Sequence, residues 1–204
     1  GTMGDVGCFS FYANKILTTG EGGMVVTSNA ALAERARRLK DLAHDPARRF
    51  RHTELAFNYR MTNVQAAIGL AQLEEIDKFI ALKQKMAAAY RKGLAGVPGL
   101  VLPEEKSWAR NVYWMYAVLV EPAFGMNRDE LMKRLKERGI DTRTFFIPVY
   151  RQPLFADDPD YAGVRCPVSD ELAKTGFYLP SGLALTSAQI KDVCAAVKDI
   201  QKTS

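Results

Sequence analysis

The chain has 204 residues, 48% of them hydrophobic and 25% charged, which suits one large globular domain or parts of two. No apolar stretch approaches the roughly 20 residues that span a bilayer, and no segment has the basic, apolar and small-residue order of a secretory signal. The net charge of +5 is modest and is densest between Arg35 and Arg51, at Arg35, Arg37, Arg38, Lys40, Arg48, Arg49 and Arg51. Mixed with Glu34, Asp41 and Asp45 and lacking a nucleic-acid-binding motif, that charge reads as a solvated helix face, or as weak attraction for a phosphorylated small molecule.

The opening Gly1-Thr2-Met3-Gly4-Asp5 leads at once into a strand-like run, as in the later portion of a longer polypeptide. Val6 to Tyr12 and Gly23 to Thr27 predict two short buried strands on either side of a glycine-rich turn. Ser28 or Asn29 is positioned to cap a helix to about Leu42, with basic residues gathered toward its C-terminal end, where the helix dipole favours them. His44 to Phe57 is polar, contains a proline and has no periodicity, which predicts a surface excursion.

Thr62-Asn63-Val64-Gln65 has capping-box form and opens the strongest helical signal, predicted to run without interruption to about Leu94. Val64, Ala67, Ile68, Ala71, Ile76, Phe79 and Ile80 follow an apolar stripe. Ala66 to Ala71 is small or apolar on nearly every face and predicts deep burial. Gly96, Pro98 and Gly99 stop the helix. Beyond them the pattern predicts a strand over Tyr113 to Val120 and a helix capped by Asn127 and ended by Gly139. A strand over Ile140 to Val149 follows, then a last helix capped by Thr186-Ser187-Ala188-Gln189. The division falls near residue 97, giving domains 1–97 and 98–204, the second a small α+β layer. Cys8, Cys166 and Cys194 are odd in number, far apart and without CxxC spacing. They read as incidental thiols in a reducing compartment, with cytoplasm the expected setting and no metal expected.

Lys15 lies between the apolar run Cys8-Phe9-Ser10-Phe11-Tyr12 and the turn Thr19-Gly20-Glu21-Gly22-Gly23. A lysine held near a dry interior loses solvation, and its pKa falls toward the range where a neutral amine attacks carbonyls. Ser10 stands five residues earlier, so the two side chains converge only if the chain bends near Tyr12 to Asn14. A packed strand serine and a solvated lysine are the plain alternative. Phe57-Asn58-Tyr59-Arg60-Met61-Thr62 places an amide and a guanidinium just ahead of a helix N-terminus, a setting suited to phosphate. The same residues also suit a turn asparagine and an arginine that fixes helix entry.

Together these segments resemble the DegT/DnrJ/StrS sugar aminotransferases. Phe9-Ser10-Phe11-Tyr12-Ala13-Asn14-Lys15 with Thr18-Thr19-Gly20-Glu21-Gly22-Gly23 is similar to that family's first signature. Phe57-Asn58-Tyr59-Arg60-Met61-Thr62-Asn63-Val64-Gln65-Ala66-Ala67 is similar to its second. Thr142-Arg143 with Pro148, and Tyr178-Leu179-Pro180-Ser181, fall in the family's expected places. The resemblance covers essentially the whole chain. It implies an α/β fold, the C-terminal portion of a fold type I PLP-dependent transferase, with a partial large domain and a small α+β domain.

By that resemblance Lys15 is the Schiff-base lysine for pyridoxal 5′-phosphate and the proton carrier. Ser10 would bond the cofactor phosphate, and Asn58 would reach the phosphate held in the neighbouring subunit of a homodimer. Arg60 would approach the nucleotide-sugar across the same interface. The implied reaction moves an amino group from glutamate to a nucleotide-diphosphate-linked keto-sugar. Where members often carry histidine, this chain has Pro148-Val149-Tyr150, so Tyr150 takes the substrate-side place. The family's first half supplies the partner of the pyridine nitrogen, the ring-stacking aromatic and further phosphate donors, and it has no counterpart here. A PMP-dependent sugar dehydratase of the same fold replaces the lysine with histidine, which Lys15 argues against. A non-catalytic folding or dimerisation module is the reading from another class, and a basic nucleic-acid-binding domain comes last.

Overall fold

Gly7–Ser10 (β1) and Gly23–Val26 (β2) pair antiparallel in the computed structural model, with Gly7 opposite Val26 and Ser10 opposite Gly23. The structure describes residues 1–203, without the side chain of Arg49. The described chain divides into two compact units that meet between Lys78 and Phe79.

In the first unit the two predicted strands form, but they are not buried. Of their eight residues only Gly7 is fully covered, and Phe9, Met24 and Val25 are exposed. A two-stranded ribbon hides little by itself; burial of such strands requires a third element on their faces. Ala30–Lys40 (α1) follows, capped by the Asn29 side chain, which accepts from the backbone N–H groups of Ala31 and Leu32. The segment predicted as a bare excursion instead forms a small hairpin of His44–Asp45 (β3) and Arg48–His52 (β4). Its polar residues gave no alternation to read, because both faces meet solvent or polar neighbours.

The long predicted helix is two helices, Asn63–Leu73 (α2) and Ile76–Leu94 (α3). The Thr62–Gln65 capping box forms as expected. At the break, the Glu75 N–H bonds the Gln72 carbonyl, a tightened three-residue step that re-phases the faces. The expected deep burial of Ala66 to Ala71 is overturned: α2 has no buried residue, and Val64 and Leu70 are 71% and 58% exposed. Its polar stripe, Gln65, Gly69 and Gln72, is the covered one.

The second unit holds the core. Leu100–Val101 (β5), Tyr116–Val120 (β6), Arg143–Thr144 (β7) and Gly176–Leu179 (β8) form an antiparallel sheet in the order β5-β6-β8-β7. Burial alternates along β6, with Tyr116, Val118 and Val120 inward. Arg128–Glu137 (α4), Pro167–Thr175 (α5) and Ser187–Gln201 (α6) complete the unit. Leu131 and Leu135 of α4 are fully buried. Ile190, Val193, Cys194, Val197 and Ile200 of α6 are buried at helical spacing. Where α3 and α6 approach, a Cβ on Gly93 would lie 2.5 Å from Cys194 Sγ, so glycine sets that spacing. The predicted strand over Ile140 to Val149 shrinks to Arg143–Thr144, because Pro148 cannot donate to a ladder and the chain then enters 3-10 turns.

One buried cation stands out in this core. Lys83 of α3 is 4% exposed, and its ammonium donates to the Trp114 carbonyl at 3.0 Å and to the Ser181 carbonyl. Two helical turns further along the same stripe, the Tyr90 hydroxyl donates to the Pro180 carbonyl at 2.8 Å. The chain leaving β8 is thus bound to α3 at two successive carbonyls. Burial lowers the Lys83 pKa from 10.5 to about 8. Between those values the unfolded chain binds more protons than the folded one, so stability rises with pH from about 8 toward 10.5. Melting temperatures of the intact protein and a Lys83→Met variant across that window should show the rise in the wild type and its absence in the variant.

Candidate active site

The turn that carries Lys15 is built from the ends of the β1–β2 hairpin. The Phe11 N–H donates to the Gly22 carbonyl, and the Phe11 carbonyl accepts from the Thr19 N–H, both at 2.9 Å. Between these rungs the Lys15 N–H donates to the Tyr12 carbonyl at 2.9 Å, closing a tight turn over Tyr12 to Lys15. This is the bend that the odd spacing of Ser10 and Lys15 required. The Ser10 hydroxyl accepts from the Tyr12 N–H at 3.3 Å, so it stands at the mouth of the same turn, exposed, with Lys15 half-buried. A Cβ on Gly22 would lie 2.4 Å from Thr19 Oγ1, which favours glycine at the position just before the returning strand.

Two glutamines of α2 hold this turn from behind. Gln72 pairs with the backbone of Thr18 as a strand would: its Oε1 accepts from the Thr18 N–H at 3.1 Å and its Nε2 donates to the Thr18 carbonyl at 2.6 Å. Gln65 Nε2 donates to the Glu21 carbonyl at 3.0 Å. Sequence reading took Gln65 for a capping residue and passed over Gln72. Its position seven residues later, on an otherwise apolar helix, was the available signal.

Asn58 and Arg60 lie on an extended stretch that runs beside the C-terminal end of α1. The Phe57 and Tyr59 N–H groups donate to the carbonyls of Leu39 and Lys40 at 3.0 and 2.8 Å. Alternation then places Asn58 and Arg60 together on one side. Arg60 Nε donates to Asn58 Oδ1 at 3.2 Å and lies 3.3 Å from Asp41 Oδ1, which leaves the Asn58 amide hydrogens and the Arg60 Nη groups as donors for an acceptor. Both side chains are exposed. Arg60 also borders a cleft of about 540 Å³ with Asp41, Asp45, Phe50 and the two histidines, His44 and His52, whose rings lie 4.7 Å apart. The backbone around it is strained, with positive φ at Leu42, Ala43 and Phe50. The histidines were missed because neither sits in a recognisable motif.

Tyr150 belongs to the second unit. It lies in the 3-10 turn Val149–Arg151, and its hydroxyl donates to Asp170 Oδ1 at 2.5 Å. Arg143 and Tyr178, from the two later segments read in the sequence, are direct cross-strand partners, and Phe145 stacks on Tyr178 at 4.7 Å.

The first unit thus carries a half-buried lysine and a serine on one turn, backed by two glutamines of α2. The family model for DegT/DnrJ/EryC1/StrS aminotransferases matches residues 1–198, and the chain belongs to that family. GDP-perosamine synthase of Vibrio cholerae is 38% identical over 199 residues, 98% of this chain and 53% of its own length. The dTDP-3-amino-3,4,6-trideoxy-alpha-D-glucose transaminase of Streptomyces venezuelae is 34% identical over 201 residues, 98% of this chain and 51% of its own length. EpsN of Bacillus subtilis, whose name includes pyridoxal phosphate dependence, is 35% identical over 188 residues, 91% of this chain and 48% of its own. Among solved structures, the aminotransferase TlmJ of Streptoalloteichus hindustanus aligns with a TM-score of 0.88 at 30% identity, over 100% of this chain and 54% of that one. The chain therefore has a partial α/β aminotransferase fold, and it spans about half the length of the curated relatives it matches.

Replacing Gln72 with leucine removes both partners of the Thr18 backbone. The expected cost is about 1–3 kcal/mol for the groups left unpaired. Hydrogen exchange should show faster exchange at the Thr18 and Thr19 amides, with little change in α6.

Proposed function

We propose that this chain is the catalytic-lysine portion of a PLP-dependent aminotransferase that moves an amino group from glutamate to a nucleotide-linked keto-sugar of the perosamine type. The observation that carries the reading is the Tyr12–Lys15 turn, which puts an amine and the Ser10 hydroxyl on one short, braced segment. The likeness to GDP-perosamine synthases at 36–38% identity supports the sugar class. In this reading residues 1–97 are the remainder of a PLP-binding large domain and 98–204 a small C-terminal domain. The exposed apolar faces of β1, β2 and α2 support that assignment, since a larger domain covers them.

The donor set fits pyridoxal 5′-phosphate: an amine for its aldehyde, and a hydroxyl and an amide for its phosphate. When bound, the group supplies an electron sink that stabilises charge on the carbon losing its proton. Lys15 Nζ would hold the cofactor between turnovers, and its amine, once freed, would carry the proton from the carbon that bears the amino group to the cofactor carbon that had been the aldehyde. The Ser10 hydroxyl donates to a phosphate oxygen. Asn58 and Arg60 serve the neighbouring subunit's site in a homodimer, the amide toward phosphate and the guanidinium toward the nucleotide diphosphate. Their anchorage on the end of α1, through Asp41, supports a role that faces outward from this chain's own lysine turn. Tyr150 lies on the sugar side. The setting is the cytoplasm; among the described residues no helix is long and apolar enough to cross a membrane.

Borohydride reduction of the intact enzyme with pyridoxal phosphate, followed by peptide mass spectrometry, should place a reduced cofactor on Lys15. Folded protein without that label overturns the reading and favours a non-catalytic module. Lys15→Ala should lower amino transfer from glutamate by about 10²–10⁴-fold, the usual worth of a positioned proton carrier, or more.

A further inference from the structure

The segment that carries Tyr150 has little regular structure of its own. From Val149 to Tyr161 it consists of three separate 3-10 turns, Val149–Arg151, Pro153–Phe155 and Pro159–Tyr161, none with a fully buried side chain. Such turns fix a side chain poorly unless something outside them holds it.

Asp170 provides that hold. Its Oδ1 accepts from the Tyr150 hydroxyl at 2.5 Å and lies 2.8 Å from Arg151 Nε, so one carboxylate oxygen gathers two adjacent residues of the first turn. Asp170 is itself well placed to act as an anchor. It lies in the first turn of α5, where the helix dipole favours a carboxylate. At the other end of α5, Arg128 Nη1 donates to the carbonyls of Ala173 at 2.6 Å and Gly176 at 3.2 Å. There the helix passes directly into β8, which pairs with both β6 and β7. The tether thus runs from the middle of a sheet, through a clamped helix, to an irregular turn.

The chemistry of the contact restricts what Tyr150 can offer. A phenol has one proton, and here it is given to the carboxylate; Arg151 also hydrogen-bonds the phenol oxygen, so its remaining lone-pair capacity is all that is left for another partner. The Arg151 guanidinium, 5.9 Å from the Tyr150 ring centroid, adds a cation on the same turn.

We propose that Asp170 is a positioning residue that fixes Tyr150 as a hydrogen-bond acceptor, so that Tyr150 selects a sugar hydroxyl or ammonium, a donor, and not the keto oxygen. This rests on the nucleotide-sugar reading above, in which Tyr150 faces the sugar. Tyr150 is accordingly a specificity residue whose effect falls on sugar binding and not on the reaction with glutamate.

The test uses the full-length enzyme and two probes. L-Glutamate drives one half-reaction, and GDP-perosamine with 2-oxoglutarate drives the reverse reaction. Asp170→Ala and Tyr150→Phe should each raise KM for GDP-perosamine about tenfold with kcat little changed, the worth of one lost charge-assisted hydrogen bond. The glutamate half-reaction should stay at the wild-type rate in Asp170→Ala. Asp170→Asn, whose amide oxygen still accepts from the phenol, should recover most of the loss, and the double variant Tyr150→Phe/Asp170→Ala should be no worse than the weaker single. A wild-type KM in Asp170→Ala, or single effects that multiply in the double variant, overturns the positioning role. A glutamate half-reaction that falls with KM in Asp170→Ala overturns it too, by showing a general structural part. Wild-type enzyme that reacts with glutamate but with no nucleotide-sugar overturns the substrate reading, and this inference with it.

Discussion

The first unit depends on a side chain acting as backbone. Gln72 bonds the N–H and the carbonyl of Thr18 as a neighbouring strand would, and Gln65 adds a second tie at Glu21. Without them the segment from Thr18 to Glu21 would be braced by its own short-range contacts and by the hairpin rungs. Those rungs belong to a two-stranded ribbon, which is marginal alone. A hydrogen bond fixes direction as well as distance, whereas apolar packing tolerates rotation. Under the proposed function, in which this turn aims one amine, direction is the quantity that matters.

The same contact explains the orientation of α2. A helix that is apolar on most faces would ordinarily turn its richest face inward. Here the stripe of Gln65, Gly69 and Gln72 faces the lysine turn, and Val64, Ile68, Leu70 and Leu73 are left exposed. Turning the helix the other way would bury more carbon, but would strand the Thr18 and Glu21 backbone groups without partners. The exposed faces are large enough to require covering in a complete enzyme, in line with a chain that spans about half the length of its relatives.

How much of this was legible depended on the range over which each feature is determined. Thr62, Asn127 and Thr186 were readable as caps because a cap is decided within three residues, and all three cap as read; of the alternatives Ser28 and Asn29, Asn29 is the cap. The buried stripe of α6 was readable because its period is local and its core-facing residues are uniformly apolar. The burial of β1, β2 and Ala66 to Ala71 was misread because periodicity reports which residues want cover, not whether cover is present. β3, β4, β5 and β8 were passed over because they are short and, for β8, because Gly176-Phe177-Tyr178-Leu179 becomes a strand only through pairing with β6 and β7. At the candidate site, the bend between Ser10 and Lys15 was inferable from spacing. Gln72 and Asp170 were not, since their partners lie 54 and 20 residues away.

Three irregular segments in this chain share one construction, which bears on how the family scaffold can vary. The turn after Lys15 is tied by Gln72, the turn at Tyr150 by Asp170, and the exit from β8 by Lys83 and Tyr90. In each case the anchor is a polar side chain on a helix and the tied group lies on an irregular stretch. Breaking the tie at Gln72 or Asp170, neither of which belongs to the core, leaves a polar group unpaired while the packing of Leu131, Phe177 and Val197 is untouched. Changes at these two anchors therefore alter aim more than stability. Lys83 and Tyr90 differ from the other two: both are buried in the core, and burial displaces both pKa values, the lysine's downward and the tyrosine's upward. The construction separates the part of the sequence that keeps the fold from the part that orients chemistry, and it allows the second to change while the first stays fixed.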